Sequence, residues 1–130
     1  MIDFHLDQHS GVAPYLQIVQ QVKHALRLGL LQPQDQLPTV REVVARLAIN
    51  PNTVLKAYRE LEHEGLIGSR PGLGTFVLHG LAGPDLATIT TLSRTLQQWL
   101  DSARAAGLDD DGIQAIIMSV LQQPQIEETA

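Results

Sequence analysis

Three side chains near the start of one predicted helix, Asn52, Thr53 and Lys56, have the chemistry to bind a polyanion. An amide, a hydroxyl and an amine can hydrogen-bond base edges and phosphates when a helix end enters a nucleic-acid groove. The backbone amides at the start of a helix also attract phosphate. The opposite side of the same helix is apolar and is predicted to face a core, with Val54, Tyr58 and Leu61.

The start of this helix is marked by two residues with known local preferences. Asn50 is a favoured N-cap and Pro51 is favoured at the first helical position. We expect the helix to run from about Pro51 to Glu64. Asn50 is interpreted first as a structural cap, with a phosphate contact as its second role.

Three arginines extend the set of cations around this helix. Arg41 lies in the first turn of the preceding predicted helix, at a place where it can contact backbone or base at a groove edge, and Arg70 opens a predicted hairpin. Arg59 continues the outer face of the same helix, but it could instead pair with Glu62 three residues on. An isolated surface cation is usually only solvated. The interpretation as nucleic-acid contacts therefore depends on the spacing of these cations around the predicted helices.

Turn-forming residues predict a β-hairpin after the helix. The segments LIGS (66–69) and TFVL (75–78) are β-prone, and RPGLG (70–74) between them supplies the turn. Gly72 and Gly74 suit the turn geometry, and they also allow the backbone to approach closely, as minor-groove contact requires.

A second helix precedes the first one in the chain. Thr39 and Glu42 have the spacing of a capping box, in which the threonine oxygen accepts an early amide and the glutamate reaches back. Ala48 and Ile49 are predicted to form a tight turn between the two helices. The apolar residues of this helix are predicted to point inward: Val40, Val43, Val44 and Leu47.

The N-terminal part of the chain is predicted to support these elements. Residues 2–7 (IDFHLD) alternate between apolar and polar and suggest a short strand. The segment PYLQIVQQVKHALRLG (14–29) has helical spacing of apolar residues, with Tyr15 on the face predicted to meet the core, Pro14 in the first turn and Gly29 past the end. The segment LLQPQDQLP (30–38) is turn-rich and is interpreted as a linker.

Two further helices are predicted after a linker at residues 80–84. One is stopped by Gly107, and the next is capped by the aspartates at 109–111. Residues 122–130 are predicted to fray. Each helix carries an apolar stripe with little core of its own, which predicts burial against a second copy. The expected interface residues are Leu92, Leu96, Trp99, Ile113, Ile117 and Val120.

Charge is distributed unevenly along the chain. The net charge is −5, yet residues 1–80 hold seven basic and seven acidic groups and are neutral. The excess acid therefore lies in residues 81–130. A neutral domain can still bind nucleic acid when its few cations share one face, with a strong salt dependence.

Several classes of site find no support in the sequence. Cysteine is absent, the five histidines match no metal-ligand spacing, and no nucleophile–base pattern or phosphate loop is present. We therefore expect no metal, no cofactor and no enzyme activity. No apolar run has membrane-spanning length and the N-terminus is polar, so the expected location is the cytoplasm.

The run LPTVREVVARLAINPNTVLKAYRELEHEGLIGSRPGLGTFV (37–77) closely resembles the winged helix-turn-helix of the GntR family of bacterial transcriptional regulators. PYLQIVQQV (14–22) fits the same pattern, and the short two-helix tail is similar to the YtrA-type subfamily. The resemblance implies a mainly α fold with a small β-hairpin. A winged helix-turn-helix at residues 1–80 would precede a two-helix dimerisation appendage at 81–130.

The same resemblance implies a function and a set of contacts. It implies a homodimeric repressor on a palindromic double-stranded DNA operator, frequently that of a transporter operon. With so small a tail, an effector would bind between the last two helices, at the dimer interface, or not at all, and the sequence identifies none. Pro51 and Leu55 stand where other branches have polar or basic contacts. The implied DNA-binding residues, with Arg59 added from its position, are Thr39, Arg41, Asn50, Asn52, Thr53, Lys56, Arg59, Arg70 and Gly72.

A different class of function is a winged-helix module that binds protein instead of DNA. The neutral N-terminal half and the acidic tail favour it slightly. The polar, small front of the recognition helix argues against it, because protein interfaces favour aromatic residues. A salt-sensitive, sequence-dependent mobility shift with promoter DNA would distinguish the two.

Overall fold

The computed structural model describes residues 1–81 and 83–124. The chain divides into two compact units, Met1–Leu86 and the part from Ala87 onward. Five helices and three strands follow one another in the described residues: α1 (Pro14–Arg27), β1 (Gln36–Leu37), α2 (Val40–Leu47), α3 (Pro51–His63), β2 (Ile67–Arg70), β3 (Gly74–Val77), α4 (Leu86–Ala105) and α5 (Asp110–Gln122).

The predicted strand at residues 2–7 is wrong. The segment pairs with no strand in the described part of the chain, although Phe4 is buried in the core as an alternating pattern would suggest. Two glutamines of α1 take the place of a neighbouring strand. Gln17 accepts a hydrogen bond from the Asp7 amide at 2.8 Å, and Gln21 accepts one from the His5 amide at 3.0 Å. Side-chain amides can satisfy an extended backbone in this way without a β-ladder.

The helix-turn-helix forms as its capping residues predict. Thr39 and Glu42 make the capping box at the start of α2, and Asn50 caps α3 with Pro51 at its first position. Ala48 ends α2 in the left-handed conformation with φ of 54°, and its amide donates to the Val44 carbonyl. This single residue turns the chain sharply between the two helices.

The wing is part of a three-stranded antiparallel sheet with strand order β1-β3-β2. β2 and β3 form the expected hairpin, with Ile67 opposite Val77 and Arg70 opposite Gly74. β1 lies within the segment predicted as a linker, and it pairs with the other edge of β3, with Leu37 opposite Thr75. The expected hairpin is therefore held by a third, two-residue strand.

One apolar core holds the elements of the first unit together. α3 packs against both α1 and α2, and it also contacts β2. The most deeply buried large side chains come from α1, α3 and the three strands: Ile18, Val22, Leu37, Val54, Leu61, Ile67 and Val77. Because α3 packs against α1, α2 and β2, its buried face fixes the direction in which its other face meets solvent.

The second unit contains the two helices expected from their apolar stripes. Asp109 caps α5, its carboxylate accepting from the Gly112 amide at 2.8 Å. Of the predicted frayed segment, residues 125–130 lie outside the described residues, as does residue 82 of the predicted linker. No helix among the described residues is both long and apolar enough to cross a membrane.

Candidate nucleic-acid interface

The N-terminus of α3 presents the polar group that the sequence singled out. The Asn50 side-chain oxygen accepts a hydrogen bond from the Asn52 amide at 2.8 Å, so part of Asn50 is committed to the cap. Its amide nitrogen still carries two donors. The Asn52 side chain is exposed and that of Thr53 is half-buried. This end of α3 can therefore offer several donors together with the partial positive charge of the helix.

The start of α2 is more fully committed to its own structure. The Thr39 hydroxyl accepts from the Glu42 amide and donates to the Glu42 carboxylate, both at 3.1 Å. A phosphate contact by this hydroxyl would require its proton to leave Glu42. Arg41, two residues on, is exposed and extends from the first turn of α2.

Lys56 is supported by an aromatic ring from α1. Its amine lies 4.0 Å from the centroid of the Tyr15 ring, which is a cation–π contact. The ring restricts where the flexible lysine side chain can go while leaving its charge exposed. Sequence reasoning placed Tyr15 on the core face of the first helix and missed this contact.

Arg27 aside, the cations of the first unit fall into two groups. Lys23 forms an ion pair with Glu64, and Arg46 forms one with Asp3. The second group holds the four cations predicted to bind DNA: Arg41, Lys56, Arg59 and Arg70. None of them forms an ion pair within residues 1–81 and 83–124. The alternative pair between Arg59 and Glu62 is therefore not formed. The charge of these four cations remains available for an external anion.

The turn of the wing is a four-residue loop at residues 70–73. The Leu73 amide donates to the Arg70 carbonyl at 3.0 Å, and Gly72 has φ of +76°. That conformation favours glycine. No atom lies within 4 Å of a Cβ built on Gly72, so the outer side of the turn is open to an approaching surface.

The wing is fastened to the segment around β1 through polar side chains. Gln36 donates a hydrogen bond to the Leu73 carbonyl at 3.1 Å. Gly74 has φ of +119°, a conformation that favours glycine, and a Cβ there would also displace the Gln36 amide nitrogen, which would lie only 2.7 Å away. Arg70 donates to Gln34 at 2.7 Å and lies over the Phe76 ring, with 4.8 Å between the guanidinium carbon and the ring centroid.

A buried phenol ties α3 to the start of α2. The Tyr58 hydroxyl donates to the Pro38 carbonyl at 2.6 Å. Burial raises the pKa of the Tyr58 phenol far above its ordinary value of 10.0, and the negative charge of Glu42 raises it further. The phenol therefore stays protonated and keeps its hydrogen bond at neutral pH.

The predicted residues separate cleanly between the two units. The nine DNA-binding candidates all lie between residues 39 and 72, on α2, α3 and the wing. Sequence reasoning missed four residues that hold the wing and Lys56 in place. Of these, only Gln34 had a local signal, since it is a non-glycine residue that follows proline in a turn. These four residues are Tyr15, Gln34, Gln36 and Phe76.

The six interface candidates lie in the second unit, and their exposure differs. Leu92, Leu96 and Val120 are 49–59% exposed. Trp99 and Ile117 are half-buried. Ile113 is 4% exposed and has little surface left for a partner.

Comparison with known proteins supports the interpretation of this surface as a nucleic-acid interface. The family described as "Bacterial regulatory proteins, gntR family" matches residues 14–77. The HTH-type transcriptional repressor YtrA of Bacillus subtilis is 37% identical over 105 residues, covering 80% of this chain and 81% of that protein.

Two solved structures resemble the fold. YtrA from Sulfolobus acidocaldarius, a GntR-family transcription factor, is 28% identical with a TM-score of 0.55, covering 78% of this chain and 97% of that one. A protein described as a transcriptional antiterminator from Listeria monocytogenes EGD-e is 27% identical with a TM-score of 0.59, covering 98% of each chain.

These likenesses agree with the arrangement of the elements. The capped α2, the turn at Ala48 and the exposed N-terminus of α3 form a helix-turn-helix, and the hairpin after it forms the wing. The relative with 37% identity is matched over four fifths of both chains. The chain therefore belongs to the gntR family of bacterial regulatory proteins, as a YtrA-type winged helix-turn-helix regulator of transcription and not an enzyme.

Proposed function

We propose that this protein is a homodimeric repressor that binds a palindromic DNA operator. In this proposal α3 enters the major groove with its N-terminus foremost, and the turn between β2 and β3 approaches the adjacent minor groove. The two C-terminal helices bring two copies together, so that two recognition helices meet the DNA about one helical turn, or a multiple of it, apart.

The observation that carries the proposal is the set of unpaired cations on α2, α3 and the wing. A protein whose net charge is −5 leaves Arg41, Lys56 and Arg70 without carboxylate partners in its described residues. DNA phosphates are the natural partners of such charges, because neutralising them releases condensed counterions. Arg59 joins the same group from the outer face of α3.

Each polar residue has a distinct role in the proposal. Asn52 and Thr53 read base edges, because their short side chains stand at the leading end of α3. Asn50 and Thr39 contact phosphates next to the helix caps that they form. Gly72 lets the backbone of the wing approach the sugar-phosphate chain without a side chain in the way.

Exposed apolar residues on α4 and α5 support the dimer. Leu92, Leu96 and Val120 leave about half of their surface in solvent within a single chain. Leu92, Leu96 and Trp99 follow one another at helical spacing, so they lie along one side of α4. A second copy would cover such a stripe, with Ile117 of α5 in the same interface.

The wider biological role rests on the family. We include repression of a transporter operon in the cytoplasm in the proposal, because the YtrA-type resemblance implies it. Transcript levels of the genes beside this one, compared between the wild-type strain and a deletion strain, test that part. Repression predicts higher transcript levels after deletion.

Fluorescence anisotropy with duplex DNA tests the core of the proposal. The labelled probe is the DNA directly upstream of the gene, and the control is a shuffled duplex of equal length and composition. We expect the upstream duplex to bind at least about 1,000-fold more tightly, with affinity falling steeply as salt rises. Equal affinity for the two duplexes would contradict sequence-specific binding.

A further inference from the structure

The first unit contains two four-residue turns of the same layout, and only one has glycine where the backbone favours it. In residues 70–73 and in residues 32–35, the fourth amide donates to the first carbonyl oxygen at 3.0 Å, and proline occupies the second place. The third residue has φ of +76° at Gly72 and +79° at Gln34. A side chain is strained in that conformation.

Neither the backbone hydrogen bond of Gln34 nor packing of its side chain explains why a glutamine occupies this place. Its side chain is exposed, so it adds nothing to the core. Its amide donates to the Val77 carbonyl at 2.9 Å, a bond that glycine would make equally well. What the side chain adds is an acceptor for Arg70, whose guanidinium nitrogen donates to it at 2.7 Å.

Arg70 is thereby held from two directions. Gln34 fixes one nitrogen of the guanidinium group, and the Phe76 ring lies 4.8 Å from its central carbon. A guanidinium group has five donors in a fixed plane, so fixing one edge orients the others. A side chain that is ordered before binding loses less entropy when it meets its ligand.

We propose that Gln34 is a positioning residue for DNA binding, retained in a strained backbone conformation because its side chain orients Arg70 of the wing. This inference rests on the proposed function, in which Arg70 contacts DNA. It predicts two opposing requirements at position 34. The backbone conformation favours glycine, whereas DNA binding favours the glutamine side chain.

Two substitutions separate the backbone from the side chain. Gln34→Gly removes the strain and the acceptor, and we expect its thermal midpoint to equal or exceed that of the wild type while DNA affinity falls about three- to tenfold. Gln34→Met keeps a side chain of similar length and the positive φ but has no oxygen, so its affinity should fall equally. The probe is the duplex that the wild-type protein selects from a random library.

A double-mutant cycle with Arg70→Ala shows whether Gln34 acts through Arg70. We expect Gln34→Gly to have no effect on affinity in the Arg70→Ala background. Arg70→Ala alone should weaken binding and reduce the slope of log affinity against log salt by about one unit, whereas Gln34→Gly should leave that slope unchanged.

The outcomes distinguish this inference from the proposed function. Normal binding by Arg70→Ala would refute the role of the wing in the proposed function, and the inference with it. Weak binding by Arg70→Ala with normal binding by Gln34→Gly would overturn the inference alone. The inference alone would also be overturned if Gln34→Gly weakened DNA binding equally in the wild-type and Arg70→Ala backgrounds. A thermal midpoint of Gln34→Gly below that of the wild type would overturn it too.

Discussion

The Tyr58 hydroxyl and the Pro38 carbonyl oxygen are 2.6 Å apart, and both residues are buried. This hydrogen bond joins the middle of α3 to the residue before the cap of α2. It therefore contributes to the angle between the proposed recognition helix and the helix that supports it.

Tyr58→Phe should destabilise the fold by about 1–3 kcal/mol, because it leaves the buried Pro38 carbonyl without its donor. Urea denaturation measures the change. Tyr15→Phe is a matched control, since the Tyr15 hydroxyl makes no hydrogen bond within the described part of the chain. Equal midpoints for Tyr58→Phe and the wild type would show that the bond contributes nothing to stability.

The same phenol should make stability sensitive to alkaline pH. Its pKa is raised in the folded state, so its contribution is complete below the ordinary value of 10.0 and is lost as pH rises above it. Between about pH 9 and pH 11 the wild type should lose about 1 kcal/mol more unfolding free energy than Tyr58→Phe. Parallel pH profiles for the two proteins would contradict the assignment.

Lys56→Gln should weaken DNA binding roughly tenfold, because it removes one charge-assisted hydrogen bond. Such a bond contributes about 1.5 kcal/mol to the binding free energy. The salt slope should fall by about one, and the thermal midpoint should stay within the error of the wild type. Lys23→Gln is the control, because Lys23 is already paired with Glu64 at 2.8 Å. If both variants lose the same affinity, only total charge matters and Lys56 has no special role.

Asn50→Asp separates the cap of α3 from the phosphate contact proposed for Asn50. Aspartate keeps the oxygen that accepts the Asn52 amide, and its charge suits a helix N-terminus, so stability should be unchanged or rise by about 0.5 kcal/mol. DNA affinity should fall, since a carboxylate repels a phosphate. Unaltered affinity would leave Asn50 as a cap alone.

Leu96→Glu should dissociate the proposed dimer, because it places a charge in the apolar stripe of α4. Sedimentation velocity measures the mass of the species. Gln98→Glu adds the same residue two positions on, on the opposite side of the helix, and should leave a dimer. A dimer that survives Leu96→Glu would place the interface elsewhere.

Local signals in the sequence were sufficient for the helices of this protein. Thr39, Asn50 and Asp109 each cap the helix that their position predicted, since capping depends on residues only two or three apart. The hairpin likewise followed from the turn residues around Gly72. These features need no knowledge of distant parts of the chain.

Contacts between distant residues account for what the sequence did not reveal. Residues 2–7 alternate like a strand, but the amides of His5 and Asp7 bond side chains of α1 instead of a neighbouring strand. β1 is two residues long, too short for a periodic pattern. The contacts of Lys56 with Tyr15 and of Arg70 with Gln34 span 41 and 36 residues. No spacing rule connects such pairs, so the supports of the DNA-binding cations became visible only in the folded chain.

In vitro selection from a random duplex library tests the central claim most directly. The full chain is used to enrich DNA, and the selected sequences are aligned. We expect a palindrome whose half-sites are centred about one helical turn, or a multiple of it, apart, with enrichment lost for the Leu96→Glu variant. Selected DNA with no common sequence, or a single half-site without symmetry, would contradict a homodimeric reader of an operator.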